Sequence, residues 1–294
     1  MCNFKKTTEY ANAKINLYLD VTGSRDDGYH DIVSVMQTVD LCDRLDISAR
    51  LIEGDTRIRL MCNWDHIPCD ERNLVWKAVE RFCEMAEISL DIEIYLEKNI
   101  PSEAGLAGGS ADAAATLRAL RREFAPGMPI DMLDTCAASL GSDIPFCLHG
   151  GSVICTGRGE VMARMDPLPT LDLVIVKSDE RVSTAKAYGK IDSLLPSRTD
   201  HPTADAIKKR FVGASVKRLC DSLYNAFEEA VLPECPIAAK MKQELIAVGA
   251  INSLMTGSGS AVFGIFENSD AAMSAAKQIG ENAVFARSSS ENEL

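Results

Sequence analysis

The chain contains no apolar run approaching the roughly 18 residues that a membrane-spanning helix needs, so no membrane span is expected. Its first residues, Met1-Cys2-Asn3-Phe4-Lys5-Lys6, lack the apolar centre of a signal peptide. Positive charge is also short: 31 Lys and Arg stand against 43 Asp and Glu, a formal net charge of −12. A nucleic-acid backbone calls for clustered basic side chains, so no nucleic-acid partner is expected. The acidic balance reads as solubility, and a small anionic substrate remains compatible with it through a local basic or amide-rich pocket. None of the ten cysteines stands in a Cys-x-x-Cys pair, which argues against a zinc site and a secreted disulfide framework. Cys83, Cys136, Cys147 and Cys155 lie in apolar stretches, as buried free thiols do. A reducing, cytoplasmic setting is therefore expected.

What the chain does have is length and pattern. Its 294 residues are comfortable for two domains. Ala13 to Val21 alternates: Ile15, Leu17, Leu19 and Val21 on one side, Lys14, Asn16, Tyr18 and Asp20 on the other. Strands are expected at 32–39, 45–49, 57–61 and 90–96, and helices at 73–86, from the loop at 105–109 to about 122, and at 131–140. Asp131 is read as the start cap of that last helix and Gly141 as its stop. Pro167 and Pro169 suggest a boundary, giving an N-terminal domain over 1–166 and a C-terminal one over 167–294. Beyond it come a strand at 171–176, helices at 183–190, 203–231 and 237–248, a strand–glycine loop–strand unit at 253–266, a helix capped by Ser269, and a strand near 283–286. The Ser-rich tail from Ser288 is expected to fray. Strands and helices mix without strict alternation, which indicates α+β rather than a doubly wound sheet.

Three polar constellations interrupt the apolar pattern. Pro101-Ser102-Glu103-Ala104-Gly105-Leu106-Ala107-Gly108-Gly109-Ser110-Ala111 joins an amphipathic strand to a small-residue helix. Such a loop lets backbone amides approach an anion at a helix start, and the Ser110 hydroxyl could reach a phosphate or its magnesium. It is neither a Walker A loop nor a G-x-G-x-x-G fingerprint, and a tight strand-to-helix turn explains it equally well. Asp143, after Gly141-Ser142, suits a turn or cap as readily as a general base. Thr256-Gly257-Ser258-Gly259 has the composition of a second anion cradle or of a hairpin connection.

Together these pieces resemble the GHMP kinases, the superfamily of galactokinase, homoserine kinase and mevalonate kinase. Ala13-Lys14-Ile15-Asn16-Leu17, the 101–114 loop and the 256–261 glycine motif occur in that family's order. Asp27-Gly28-Tyr29-His30, Leu140 to Phe146, Gly150-Gly151 and Gly157-Arg158-Gly159-Glu160 are similar to the branch that acts on a cytidine diphosphate-linked methylerythritol. The likeness runs from about residue 10 to 266. It implies a two-domain α+β fold with the active site in the cleft. It also implies ATP-dependent phosphorylation of the 2-hydroxyl of that small molecule, a step of non-mevalonate isoprenoid synthesis, with ATP and Mg2+. Another sugar, homoserine or isoprenoid-alcohol kinase is the alternative.

By the same resemblance, Asp143 would be the base and Lys14 would stabilise charge beside it. Pro101, Gly105, Leu106, Ala107, Gly108, Gly109, Ser110 and Ala111 would hold ATP, with Ser110 on its metal. Asn16, Tyr29, His30, Tyr188, Thr256, Gly257, Ser258 and Gly259 would form the substrate side, with Tyr188 as a stacking ring. The chain departs from the family pattern at Ala107, where glycine is usual, at Glu103-Ala104, and at Ala111 and Asp112, where Ser and Asn are usual. Ala107 adds only a methyl, so the loop is expected to close.

Overall fold

The computed structural model describes residues 4–177, 182–195, 200–289 and 292. β1 (Lys5–Ser24) and β2 (His30–Leu51) form a long antiparallel pair that runs from Lys5 opposite Ala49 to Ser24 opposite His30. Gly28 turns between them at φ +82, a left-handed backbone that glycine adopts without a Cβ clash. The two strands expected at 32–39 and 45–49 are one, and β1 pairs with both parts, with a register shift where Asn12 faces Cys42 and Lys14 faces Thr38. β3 (Arg57–Cys62), α1 (Leu74–Ala86) and β4 (Leu90–Glu97) follow. Next come α2 (Gly108–Phe124), α3 (Ile130–Leu140), α4 (Ile144–His149), β5 (Ser152–Thr156) and β6 (Val161–Arg164). The far edge of β2 is shared: residues 34–37 pair with β5 and residues 44–51 with β4.

The second half begins with β7 (Asp172–Val176) and α5 (Thr184–Leu194). Instead of one helix over 203–231, the chain forms α6 (Ala204–Phe211), α7 (Val216–Cys220), β8 (Tyr224–Asn225) and α8 (Phe227–Val231). Gly213, at φ +67, lies between α6 and α7. Tyr224-Asn225 is then drawn into parallel pairing with Tyr18-Leu19 of β1, a tertiary demand that overrides helical periodicity. α9 (Pro236–Ala247), β9 (Asn252–Met255), β10 (Val262–Phe266), α10 (Ser269–Ile279) and β11 (Ala283–Arg287) complete the chain. Among the described residues the first sheet has the order β3-β4-β2-β1-β8, with β5 and β6 alongside, and the second the order β11-β7-β10-β9. The fold is α+β, as the unalternating pattern indicated.

Smaller corrections concern the helix ends and the tail. α3 enters through Pro129, whose ring presets the helical φ, and Asp131 sits in its first turn without capping. α10 is capped by Asn268, whose carboxamide accepts from the Ala271 N–H, while the Ser269 hydroxyl donates to Asp172. Of the tail expected to fray, Ser288 bridges Val39 and the Ser289 N–H donates to the Thr38 carbonyl, while residues 290, 291, 293 and 294 lie outside the described residues. Among the described residues no helix is long and apolar enough to cross a membrane.

Two apolar cores result, and β1 enters both. Ile15 and Leu17 pack with Val35, Ile94, Phe82, Leu120 and Phe146, whereas Leu19 and Val21 pack with Val176, Phe227, Leu245 and Phe266. Each fully buried side chain of this size contributes roughly 1.5–3 kcal/mol. Lys14 and Asn16 therefore lie where the two cores meet, and β1 cannot shift register without disturbing both.

Under the 101–110 loop lies a buried ionic cluster. Lys98 contacts Asp43 and donates to Asp112 at 2.7 Å, and all three side chains are within 4% of fully buried. Asp43 also accepts the Asn99 and Ile100 N–H groups at 2.5 and 2.7 Å, which fixes the chain entering the loop. Burial works to discharge Lys98, but Asp112 and Asp43 outweigh it and hold the ammonium above its usual range. Replacing Asp43 by Ala removes one of the two carboxylates that hold the buried Lys98 ammonium and strands two amides. The expected loss is about 3–5 kcal/mol in urea denaturation. Asp91→Ala, which breaks the more exposed Arg50–Asp91 pair, is expected to cost no more than about 1 kcal/mol. Equal costs would show that the cluster does not anchor the loop.

Candidate active site

Lys14, on the polar side of the 13–21 alternation, is 4% exposed, and its ammonium donates to the Asn16 carboxamide oxygen at 2.7 Å. The Lys14 N–H donates to the Leu106 carbonyl at 3.1 Å, so β1 directly grips the glycine-rich loop. Asn16 is the junction. Its Nδ2 donates to the Ser34 hydroxyl at 2.8 Å, its own N–H donates to Thr256 Oγ1 at 3.1 Å, and its Oδ1 accepts the Gly257 N–H at 3.0 Å. The 13–17 strand, the 105–110 loop and the 256–259 motif are thereby brought together, as the resemblance implied.

The close approach of the two loops explains two of their glycines. A Cβ on Gly105 would stand 2.2 Å from the Thr256 carbonyl oxygen, and one on Gly257 would stand 2.9 Å from the Gly105 Cα. Both residues have positive φ as well. Ala107 is the N-cap of α2 and adopts φ +58, ψ +30, the left-handed region. That is the physical reason for glycine at this position, and the alanine here carries a strain of roughly 1–2 kcal/mol. The loop does close, with Leu106 fully buried. Gly108, Gly109 and Ser110 form the first turn of α2, whose first amides lack intrahelical partners. Pro101 is half-buried at the loop's start, Glu103 is exposed, and Ala111 is buried one turn into the helix.

Asp143 is half-buried at the entrance to α4, and its side chain does not cap that helix. Among the described residues its carboxylate has no hydrogen-bond or ion-pair partner. Lys14 and Asp143 do not pair, yet they act on the same neighbours. Burial pushes the Cys155 thiol up to about 12; the Asp143 charge adds to that and Lys14 opposes it. Cys147 is raised by burial and Asp143 and lowered by Lys14 in the same way. Both charges therefore act on the same two buried thiols. The Tyr188 phenol is likewise pushed up to about 12, first by burial and then by the Asp143 charge.

The aromatic residues assemble alongside. His30 and Tyr188 stack with centroids 4.5 Å apart at 27°, and Phe227 meets Tyr188 edge-on at 4.8 Å. Tyr29 is exposed, with the Arg158 guanidinium 4.7 Å above its ring. A cavity of about 310 Å3 is lined by Ser24, Arg25, Gly28, Tyr29, His30, Asp192 and Leu195, the lower end of the usual range for small-ligand sites. Tyr188 backs His30 and is not among the residues lining that cavity. A larger cavity, of about 600 Å3, lies away from these residues against α1. Ser258 joins the site from the other side, its hydroxyl 2.9 Å from that of Thr184 on α5, and Gly259 turns at φ +90 beside Met255.

Sequence reasoning missed several supporting residues. Asn225 donates to the carbonyls of Met255 and Gly257 at 2.7 and 2.9 Å and so shapes the second glycine motif. An asparagine inside an expected helix was the available signal, because that residue prefers caps and turns. Lys177 donates to the Ser102 carbonyl at 2.6 Å, tying β7 to the first loop. Ser34 and Asp192 have no local pattern that marks them.

Comparisons with known proteins give the chain a family. Residues 73–151 match the model for the GHMP kinases N terminal domain, and residues 205–284 that for GHMP kinases C terminal. A Clostridium tetani protein named 4-diphosphocytidyl-2-C-methyl-D-erythritol kinase is 41% identical over 262 residues, 89% of this chain and 91% of its own length. A protein of the same name from Exiguobacterium sibiricum is 43% identical over 263 residues, 89% of this chain and 90% of its own. A crystal structure described as 4-(cytidine 5'-diphospho)-2C-methyl-D-erythritol kinase superposes with a TM-score of 0.79 at 28% identity. It covers 96% of this chain and 98% of that one.

Two opposite substitutions test the loop geometry. Ala107→Gly is expected to raise stability in thermal unfolding by roughly 1 kcal/mol without changing the fold. Gly105→Ala is expected to weaken nucleotide binding at least about tenfold by calorimetry, since the Cβ drives the loop off Thr256. Unchanged binding by Gly105→Ala would mean that contact between the loops is dispensable.

Proposed function

The chain belongs to the 4-diphosphocytidyl-2-C-methyl-D-erythritol kinase family of the GHMP kinases, and from that premise we propose how its own residues carry the reaction. It transfers the terminal phosphoryl group of ATP to the 2-hydroxyl of 4-diphosphocytidyl-2-C-methyl-D-erythritol, in the methylerythritol phosphate route to isoprenoid precursors. The observation that carries this reading is the Asn16 node, which holds Lys14 and joins the 105–110 loop to the 256–259 motif, together with the open Asp143 carboxylate and the His30–Tyr188 stack. One end of that arrangement suits an alcohol and the other a flat base.

Phosphoryl transfer asks a protein mainly for positioning and charge stabilisation. The unpaired Asp143 carboxylate orients the substrate hydroxyl and receives its proton. Lys14, held by Asn16, lays its ammonium against the charge that develops on the attacking oxygen and the moving phosphoryl group. The 105–110 loop offers the open amides at the start of α2 to the phosphates. Among the described residues no cluster of three His, Cys, Asp or Glu could hold a metal by itself. The partly exposed Ser110 hydroxyl is a hard oxygen donor, suited to Mg2+ that keeps most of its ligands from phosphate and water. When bound, such an ion neutralises phosphate charge.

Tyr29 and His30 receive the cytosine at the 310 Å3 cavity, and Tyr188 supports it through the stack. Asn16 and the 256–259 motif close the substrate side. The functional unit divides near residue 166, between β6 of the first sheet and β7 of the second, with β8 returning to the edge of the first. The nine free cysteines among the described residues fit a reducing cytoplasm.

The primary test is ADP release from Mg-ATP with the cytidyl substrate, beside galactose, homoserine and mevalonate. Selective turnover of the cytidyl compound is expected, whereas activity on another alcohol alone would replace the assigned substrate. Asp143→Ala is expected to lower kcat by roughly 10²–10⁴ while ATP affinity, read by calorimetry, stays within about twofold. Near-normal turnover would remove Asp143 from the chemistry. Separately, Tyr188→Ala is expected to raise KM for the cytidyl substrate several-fold more than KM for ATP. Equal effects on both would discard the ring's role in that subsite.

A further inference from the structure

The His30 imidazole is fixed from two directions. Its face lies on Tyr188, with centroids 4.5 Å apart, and Tyr188 is itself braced by Phe227. Its Nε2 stands 2.6 Å from Asp192 Oδ1 on α5, a residue 162 positions away. The His30 side chain is 9% exposed and that of Asp192 47%. Both line the 310 Å3 cavity with Tyr29. Among the described residues, the other ring nitrogen, Nδ1, has no partner.

A carboxylate can only accept a hydrogen bond, so the neutral imidazole bound to Asp192 must carry its proton on Nε2. Nδ1 is then left as a bare acceptor. The two common pyrimidine bases differ at the edge that such an atom would read. Cytosine presents an amino group, a donor, at position 4; uracil presents a carbonyl oxygen, an acceptor, at the same place. An acceptor nitrogen welcomes the first and repels the second, because two facing lone pairs leave both groups desolvated and unbonded.

We propose that Asp192 is a specificity-determining positioning residue: it fixes His30 in the Nε2–H tautomer, which makes the cavity choose a cytidine over a uridine nucleotide. The inference rests on the cytidyl reading of the cavity and deepens it. Asp192 does not touch the base; it acts by dictating what His30 can offer. Discrimination by an unmatched polar group is the strong kind, because the wrong ligand leaves a buried acceptor unpaired. The selection would be supplied by the second half of the chain, since α5 carries Asp192 while β2 carries His30.

The test compares inhibition by CDP and UDP in the wild-type enzyme and in Asp192→Ala, with the His30 tautomer read by 15N NMR. The His30 signals are identified by their loss in His30→Gln. Asp192 is exposed on a helix and alanine favours helices, so the variant keeps its fold. In the wild type, the Nε2–H form and tighter binding of CDP than UDP are expected. In Asp192→Ala, a tautomer mixture and a CDP-over-UDP preference reduced by about tenfold, the scale of one hydrogen bond, are expected, with KM for ATP unchanged. A preference that survives in Asp192→Ala, or a wild-type imidazole protonated on Nδ1, overturns the role of Asp192 and leaves the cytidyl reading standing. Failure of the wild type to prefer CDP overturns the cytidyl reading and this inference with it.

Discussion

A single buried carboxamide, that of Asn16, joins segments up to 241 positions apart in the chain. It accepts from Lys14 and from the Gly257 amide, and donates to Ser34. In a buried setting each of those groups would be costly to leave unpaired. The arrangement is therefore held by the penalty of breaking it as much as by the bonds themselves. Lys14 is aimed by it, the 256–259 motif is seated by it, and through the Gly105–Thr256 approach the phosphate loop is positioned by it. The two apolar cores meet on β1 at this same place. A polar node is tolerated there because every one of its partners is supplied.

Around this node the charges divide into two populations. Lys98, Asp43 and Asp112 are paired with one another beneath the loop and give it an anchored base. Lys14 and Asp143 lie above and do not pair, and Asp143 keeps its carboxylate open. A pair satisfied internally stabilises structure, whereas an unpaired acid beside a held lysine is available for a substrate's proton and charge. The same types of charge are thus paired in one place and left open in the other, and the distinction lies in which partners the fold provides.

Much of this was legible in local sequence. The alternation of 13–21, the small-residue run at 105–111 and the 256–261 glycines each marked a segment correctly as strand, loop or turn. The special backbone positions were legible too, because glycine at 105 and 257 reports a demand that no side chain meets. Ala107 shows the reverse case: its methyl looks harmless in sequence, but only the left-handed φ shows that the position is strained. The expected helix over 203–231 failed for a different reason. Tyr224-Asn225 is claimed by β1 and by the carbonyls of the second glycine motif, partners that no local window contains.

The sequence by itself determined the α+β class and the order of the motifs, because these are written in short-range periodicity and composition; Lys14 and Asp143 were singled out only through the resemblance that those motifs carry. Only the tertiary structure decided which of those groups meet. It turned Lys14 inward, left Asp143 open, stacked His30 on Tyr188 and set Asp192 against the imidazole. The physical reason is that hydrogen bonds and ring contacts act over a few ångströms in space, while the residues that make them here are separated by up to hundreds of positions in the chain.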